Sequence, residues 1–163
     1  MLLALLAGAG LEAQPISRHA VLAAIAVLGK DVTGPGALQA AVTVTQFGRD
    51  SNDVLLIVSP DTLPWVQTNV SEADAQVRAL LMAAYFAGDI KSQLQKGRPG
   101  DDPYSGWLAA IRAYRQVQKK QPRVSIPEIE DLIRQEKAGT LRQRARDLLK
   151  QQNNEKPSAG DFI

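Results

Sequence analysis

The chain carries one histidine, His19, and no cysteine, which narrows the available chemistry at once. Without cysteine there is no disulfide, thiolate metal site or cysteine nucleophile. A histidine-based metal site or a Ser-His-Asp triad would have to use His19. That residue stands at the start of an apolar helix, where histidine ordinarily fills a surface or helix-end position. No GxSxG, HExxH, phosphate-binding loop or GxGxxG occurs, so neither the usual nucleophile elbow nor a nucleotide cradle is present.

Carboxylates cluster at Asp101–Asp102 and at Glu128, Glu130 and Asp131. Both groups stand at predicted helix starts, where acids cap free N–H groups and complement the helix dipole. A carboxylate-dependent hydrolase would need two acids facing each other across a cleft, and it is carried as one alternative. The basic side chains are more patterned. From Arg134 to Lys150 six cations (Arg134, Lys137, Arg142, Arg144, Arg146, Lys150) face two acids, a local charge of +4. At 100° per residue Arg142, Arg146 and Lys150 fall along one helix edge beside Leu141, Ala145, Leu148 and Leu149. Such a border suits phosphates or anionic lipid heads, although no aromatic side chains are interleaved for base stacking. Tyr85, Tyr104, Trp107 and Tyr114 either line a half-wet groove or form core. The candidate interaction surface is therefore Tyr104, Trp107, Tyr114, Arg142, Arg146 and Lys150.

At 163 residues, 45% hydrophobic and 22% charged, the chain has the length and composition of one domain with one core. Its net charge of +2 is unevenly spread, at −4 over residues 1–75 and +6 over 76–163. "MLLALLAGAGLEAQP" resembles a signal peptide cut after Ala13, but it lacks the basic start and has Leu11 three places before the cut. It is too interrupted for a membrane span, so the chain reads as not integral to a membrane.

The elements that must position these residues follow from local signals. Ser17 caps a helix through "HAVLAAIAVLG" that ends at Gly29, and "KDVTGPG" is a loop. "AAVTVTQFG" and "DVLLIVSP", rich in β-branched residues and separated by "RDSN", read as a β-hairpin pairing 40–47 with 53–59. Ser71 and Asp74 resemble a capping box for a helix that Gly97 stops. Asp102 and Pro103 open the next helix, whose stripe is Tyr104, Trp107, Leu108, Ile111, Tyr114 and Val117. A helix after Ser125, with Pro127 in its first turn, presents Ile129, Leu132 and Ile133, and it kinks or breaks near Gly139. Thr140 with Gln143 then reads as a second capping box.

These signals predict a mainly α (α+β) domain in which an N-terminal helix and a β-hairpin pack on three or four C-terminal helices. Residues 1–13 form the signal segment and 14–151 the domain, with helix plus hairpin in 14–66 and the helical part in 67–151. Residues 152–163 form an aperiodic tail ending "GDFI", and "NVS" at Asn69–Ser71 matches a glycosylation sequon. The expected function is a non-catalytic exported protein, periplasmic or secreted, that binds another protein and uses no cofactor or metal. A cytoplasmic protein with nucleic acid as its partner, bound through the basic helix, is the alternative from a different class.

Overall fold

The structure, a computed structural model, describes residues 15–66 and 71–154. The expectations for the signal segment 1–13, for Asn69 of the sequon and for the chain beyond Asn154 lie outside those residues. Within them the fold is all helical: α1 (Arg18–Lys30), α2 (Ala37–Asp50), α3 (Glu72–Lys96), α4 (Pro103–Lys120), α5 (Pro127–Lys137) and α6 (Leu141–Asn154), with no strand among the described residues. None of these helices is long and apolar enough to cross a membrane.

The helix ends follow from capping chemistry. Ser17 Oγ accepts the Ala20 N–H at 3.1 Å. Ser71 Oγ accepts the Asp74 N–H at 3.2 Å while donating to the Asp74 carboxylate at 2.7 Å, a side-chain version of the expected box. Asp102 caps α4 ahead of Pro103, and Gly97 ends α3 in the left-handed region at φ +67°, a conformation that costs glycine little. The break at Gly139 is present, with φ +73°. Two local expectations differ. α1 runs on to Lys30 instead of ending at Gly29. Thr140 gives its hydroxyl to the Gln135 carbonyl, and the Gln143 side chain pairs with Asp147 and Arg146.

The larger correction is the hairpin. Residues 40–47 lie inside α2, and 54–59 form an irregular segment that belongs to no strand. Helical spacing decides α2: Ala37, Ala40, Ala41, Val44 and Phe47 are buried together, the i, i+3, i+4 and i+7 pattern of a core-facing stripe. A strand would put Val44 and Phe47 on opposite faces, so burying both outweighs the modest strand preference of Val and Thr.

The long α3 is the spine, packed against α4 along much of its length, with α1 and α2 across it and α5 and α6 beyond α4. The α3–α4 seam is tight because glycines face into it from both sides. A Cβ on Gly88 would meet the Ser105 carbonyl oxygen and lie 2.6 Å from Ala109 Cβ, and one on Gly106 would lie 2.5 Å from the Tyr85 ring. The seam therefore holds two helices closer than side-chain-bearing residues would allow.

Candidate functional site

The most unusual chemistry is buried. Asp89, on α3, has no exposed surface, and Asp101, just ahead of α4, has almost none. Asp89 Oδ1 accepts from Gln93 Nε2 at 2.7 Å and from the Asp102 N–H at 2.9 Å. Asp101 Oδ1 accepts the Ile57 N–H at 3.0 Å. Each carboxyl leaves its other oxygen, Oδ2, buried without a donor, and the two carboxyls interact with each other. Two buried carboxyls that act on each other favour the protonated form over a pair of charges. Burial first, and the Asp101 charge second, push Asp89 up to about 8, and burial likewise raises Asp101. Asp102 goes the other way. Burial works to raise it, but hydrogen bonds from Lys96, Ser92 and Ser105 outweigh that effect and hold it at about 2.

The cluster holds the segment 54–59 in place. Gln93 accepts the Leu55 N–H at 2.8 Å and donates to the Leu55 carbonyl at 2.7 Å, so its amide stands in for the missing neighbouring strand. Thr62 donates to the Ile57 carbonyl at 2.9 Å, and Trp107 Nε1 donates to the Thr62 carbonyl at 2.8 Å. An unpaired backbone polar group in the interior is costly, and side chains here satisfy groups that a β-ladder would otherwise have taken. No surface of Asp89 is open to solvent. Nor does any group of three or more His, Cys, Asp or Glu among the described residues stand ready to hold a metal ion. The carboxylate pair thus has the raised proton affinity of an acid–base dyad, with Asp89 shut away from solvent.

The candidate surface is placed unevenly. Trp107 and Tyr114 lie in the core at 0% exposure. The Tyr114 hydroxyl accepts the Ile126 N–H at 3.1 Å and sits 2.9 Å from Glu130 Oε1. Only Tyr104 of the aromatic stripe is partly exposed, and the Arg142 guanidinium lies 4.3 Å from its ring centroid. Arg142, Arg146 and Lys150 are at the surface, although each has an internal contact: Arg146 donates to Gln143, and Lys150 is 3.6 Å from Asp147. His19 is exposed on α1. Of the second acidic group, Glu130 accepts from Ser125 at 2.9 Å, Asp131 accepts from Arg134 at 2.9 Å and Glu128 lies 3.5 Å from Arg78, so all three serve packing around α5.

A different surface stands out once α2 is seen as a helix. Between α2 and α3 runs a groove of about 720 Å³, lined by Ala37, Leu38, Ala41, Val42 and Thr45 on one side and Ala79, Leu80, Met82 and Ala83 on the other. Leu38 is 75% exposed and Val42 50% exposed. One helical turn apart, they present an apolar edge to water beside an apolar groove. The strand reading of 40–47 hid this edge. The i, i+4 spacing of Leu38 and Val42 is the signal that would have found it.

No family model matches the chain, and neither a curated protein nor a solved structure is significantly similar to it.

Proposed function

We propose that this is a non-catalytic helical protein that binds another protein, and that the α2–α3 groove receives an apolar face of a helix from that partner. The observation that carries the reading is the exposed Leu38–Val42 edge beside the groove. Amphipathic helices dock into such grooves through anchors one turn apart, and covering these side chains gains about 25 cal/mol for each Å² of apolar surface removed from water. The groove rim carries Thr33, Thr45, Gln46 and Gln76, and its single charged residue, Arg49, is paired with Asp50 at 2.6 Å. An apolar helix face with uncharged polar flanks fits that lining. The complete burial of Asp89 supports the non-catalytic half of the reading.

The test is the double variant Leu38→Asp, Val42→Asp in the full chain, purified at native abundance from its own host. The wild type should bring down one protein in stoichiometric amount. The variant should lose at least tenfold of it, about 1.4 kcal/mol or more of affinity, while keeping the wild-type melting temperature, because both positions face water. Recovery undiminished by the variant, or no stoichiometric companion of the wild type, overturns the reading.

A further inference from the structure

A second cavity lies on a different face, where α1 and α4 stand apart above α3. Its floor is Ala84, Ala87 and Gly88 of α3. One wall is Leu22, Ile25 and Ala26 of α1, the other Ala109 and Ala113 of α4, and together they enclose about 460 Å³. The small floor residues give the trough its depth, and the glycine-tight α3–α4 seam beneath them keeps that floor in place. α1 is pinned at both ends. Arg18 donates to the Leu94 carbonyl at 3.1 Å, while Gln116 accepts the Val32 N–H at 2.8 Å and donates to the Gly29 carbonyl at 3.2 Å. The trough is therefore held open by fixed struts and needs no rearrangement to accept a ligand, which lowers the cost of binding.

Its charge is one-sided. Neither α1 nor α4 contains a single Asp or Glu. The cations on its lining, Lys91 and Arg112, are exposed, and neither has an ion-pair partner among the described residues. An apolar slot edged by unmatched positive charge complements a molecule with an apolar body and an anionic head. We propose that the α1–α3–α4 trough is a binding site for a small anionic amphiphile, with an acyl-type chain lying over Ala84, Ala87 and Gly88 and a carboxylate or phosphate head held by Lys91 or Arg112. The volume falls within the roughly 300–1,000 Å³ range of single-ligand pockets. A concave floor also suits an inserted chain better than a flat bilayer surface, which could touch only the rim.

Sodium dodecanoate, kept below the concentration at which it forms micelles, is the first probe. Dodecyl phosphate, dodecanol, dodecyltrimethylammonium and an acidic amphipathic peptide are compared with it by calorimetry on the full chain. Binding of dodecanoate and dodecyl phosphate with one molecule per chain is expected, at least tenfold tighter than dodecanol or the cationic amphiphile. Ala26→Trp, a change at an exposed wall position that fills the slot, should abolish it. Lys91→Gln with Arg112→Gln should weaken it at least tenfold. If Ala26→Trp fails to fold, the charge variant and shifts of the Ala84, Ala87, Ala109 and Ala113 methyl resonances decide. No saturable binding, equal binding of all head groups, indifference to the variants, shifts elsewhere, or binding of the peptide alone each overturns the proposal.

Discussion

Asparagine in place of Asp89 is expected to leave stability close to wild type near pH 4 and to make the protein progressively more stable than wild type as pH rises towards 8. The sign follows from the raised proton affinity of Asp89 in the fold. Asp89 keeps its proton in the folded protein up to about pH 8, whereas in the unfolded chain it ionises near 3.9. Between those values the folded state binds more protons, so wild-type stability falls as pH rises, by at most about 1.4 kcal/mol per pH unit. Asparagine is neutral throughout. Its oxygen can accept the Gln93 and Asp102 donors now taken by Asp89 Oδ1, and its amide can donate to Asp101. Asp102 acts in the opposite direction: held at about 2 by its hydrogen bonds, it contributes stability that is lost as pH falls from about 4 through 2. Thermal unfolding midpoints from pH 2 to 9, for wild type and Asp89→Asn, check both limbs. Parallel curves for the two proteins from pH 4 to 8 would mean that Asp89 is already ionised in the fold.

Trp107→Ala should be the most damaging single truncation. The side chain has no exposed surface, and its indole N–H is bonded to Thr62. Truncating a buried aromatic typically costs about 3–5 kcal/mol, a large share of a domain's total stability. Loss of the Thr62 contact also loosens the turn that follows segment 54–59. Denaturant unfolding should show a midpoint shift of that size, with Trp107→Phe retaining most of the stability. A folded Trp107→Ala protein of near wild-type stability would show that the residue is not the core anchor its burial implies.

What could be read in advance was mostly local. Ser17, Ser71, Asp102, Pro103 and Gly97 act within a few residues of their own position, and their roles follow from cap chemistry alone. Val42, Thr43, Val44 and Thr45 favour strands intrinsically, while the burial of Ala40, Ala41, Val44 and Phe47 that decides for a helix depends on α1 and α3. The segment 54–59 forms no strand, and the partner of its Leu55 N–H is a glutamine side chain 38 residues away, a relation no short-range pattern encodes. The stripe through Trp107 and Tyr114 was visible as an apolar face. That it turns inward is decided by α3 and α5. The carboxylates at Asp101–Asp102 are visible as a pair, yet the pair whose proton affinity burial raises is Asp101 with Asp89, brought together only by the α3–α4 turn.

The groove reading is tested most directly by placing a photo-reactive amino acid at position 38 and, in a separate protein, at position 142 on the surface of α6, and irradiating cells of the native host. If the α2–α3 groove is the working surface, position 38 yields one adduct of discrete mass, corresponding to this chain plus a different protein, and position 142 yields none. Adducts from position 142 with none from 38, or a position-38 adduct with the mass of two copies of this chain, would contradict it.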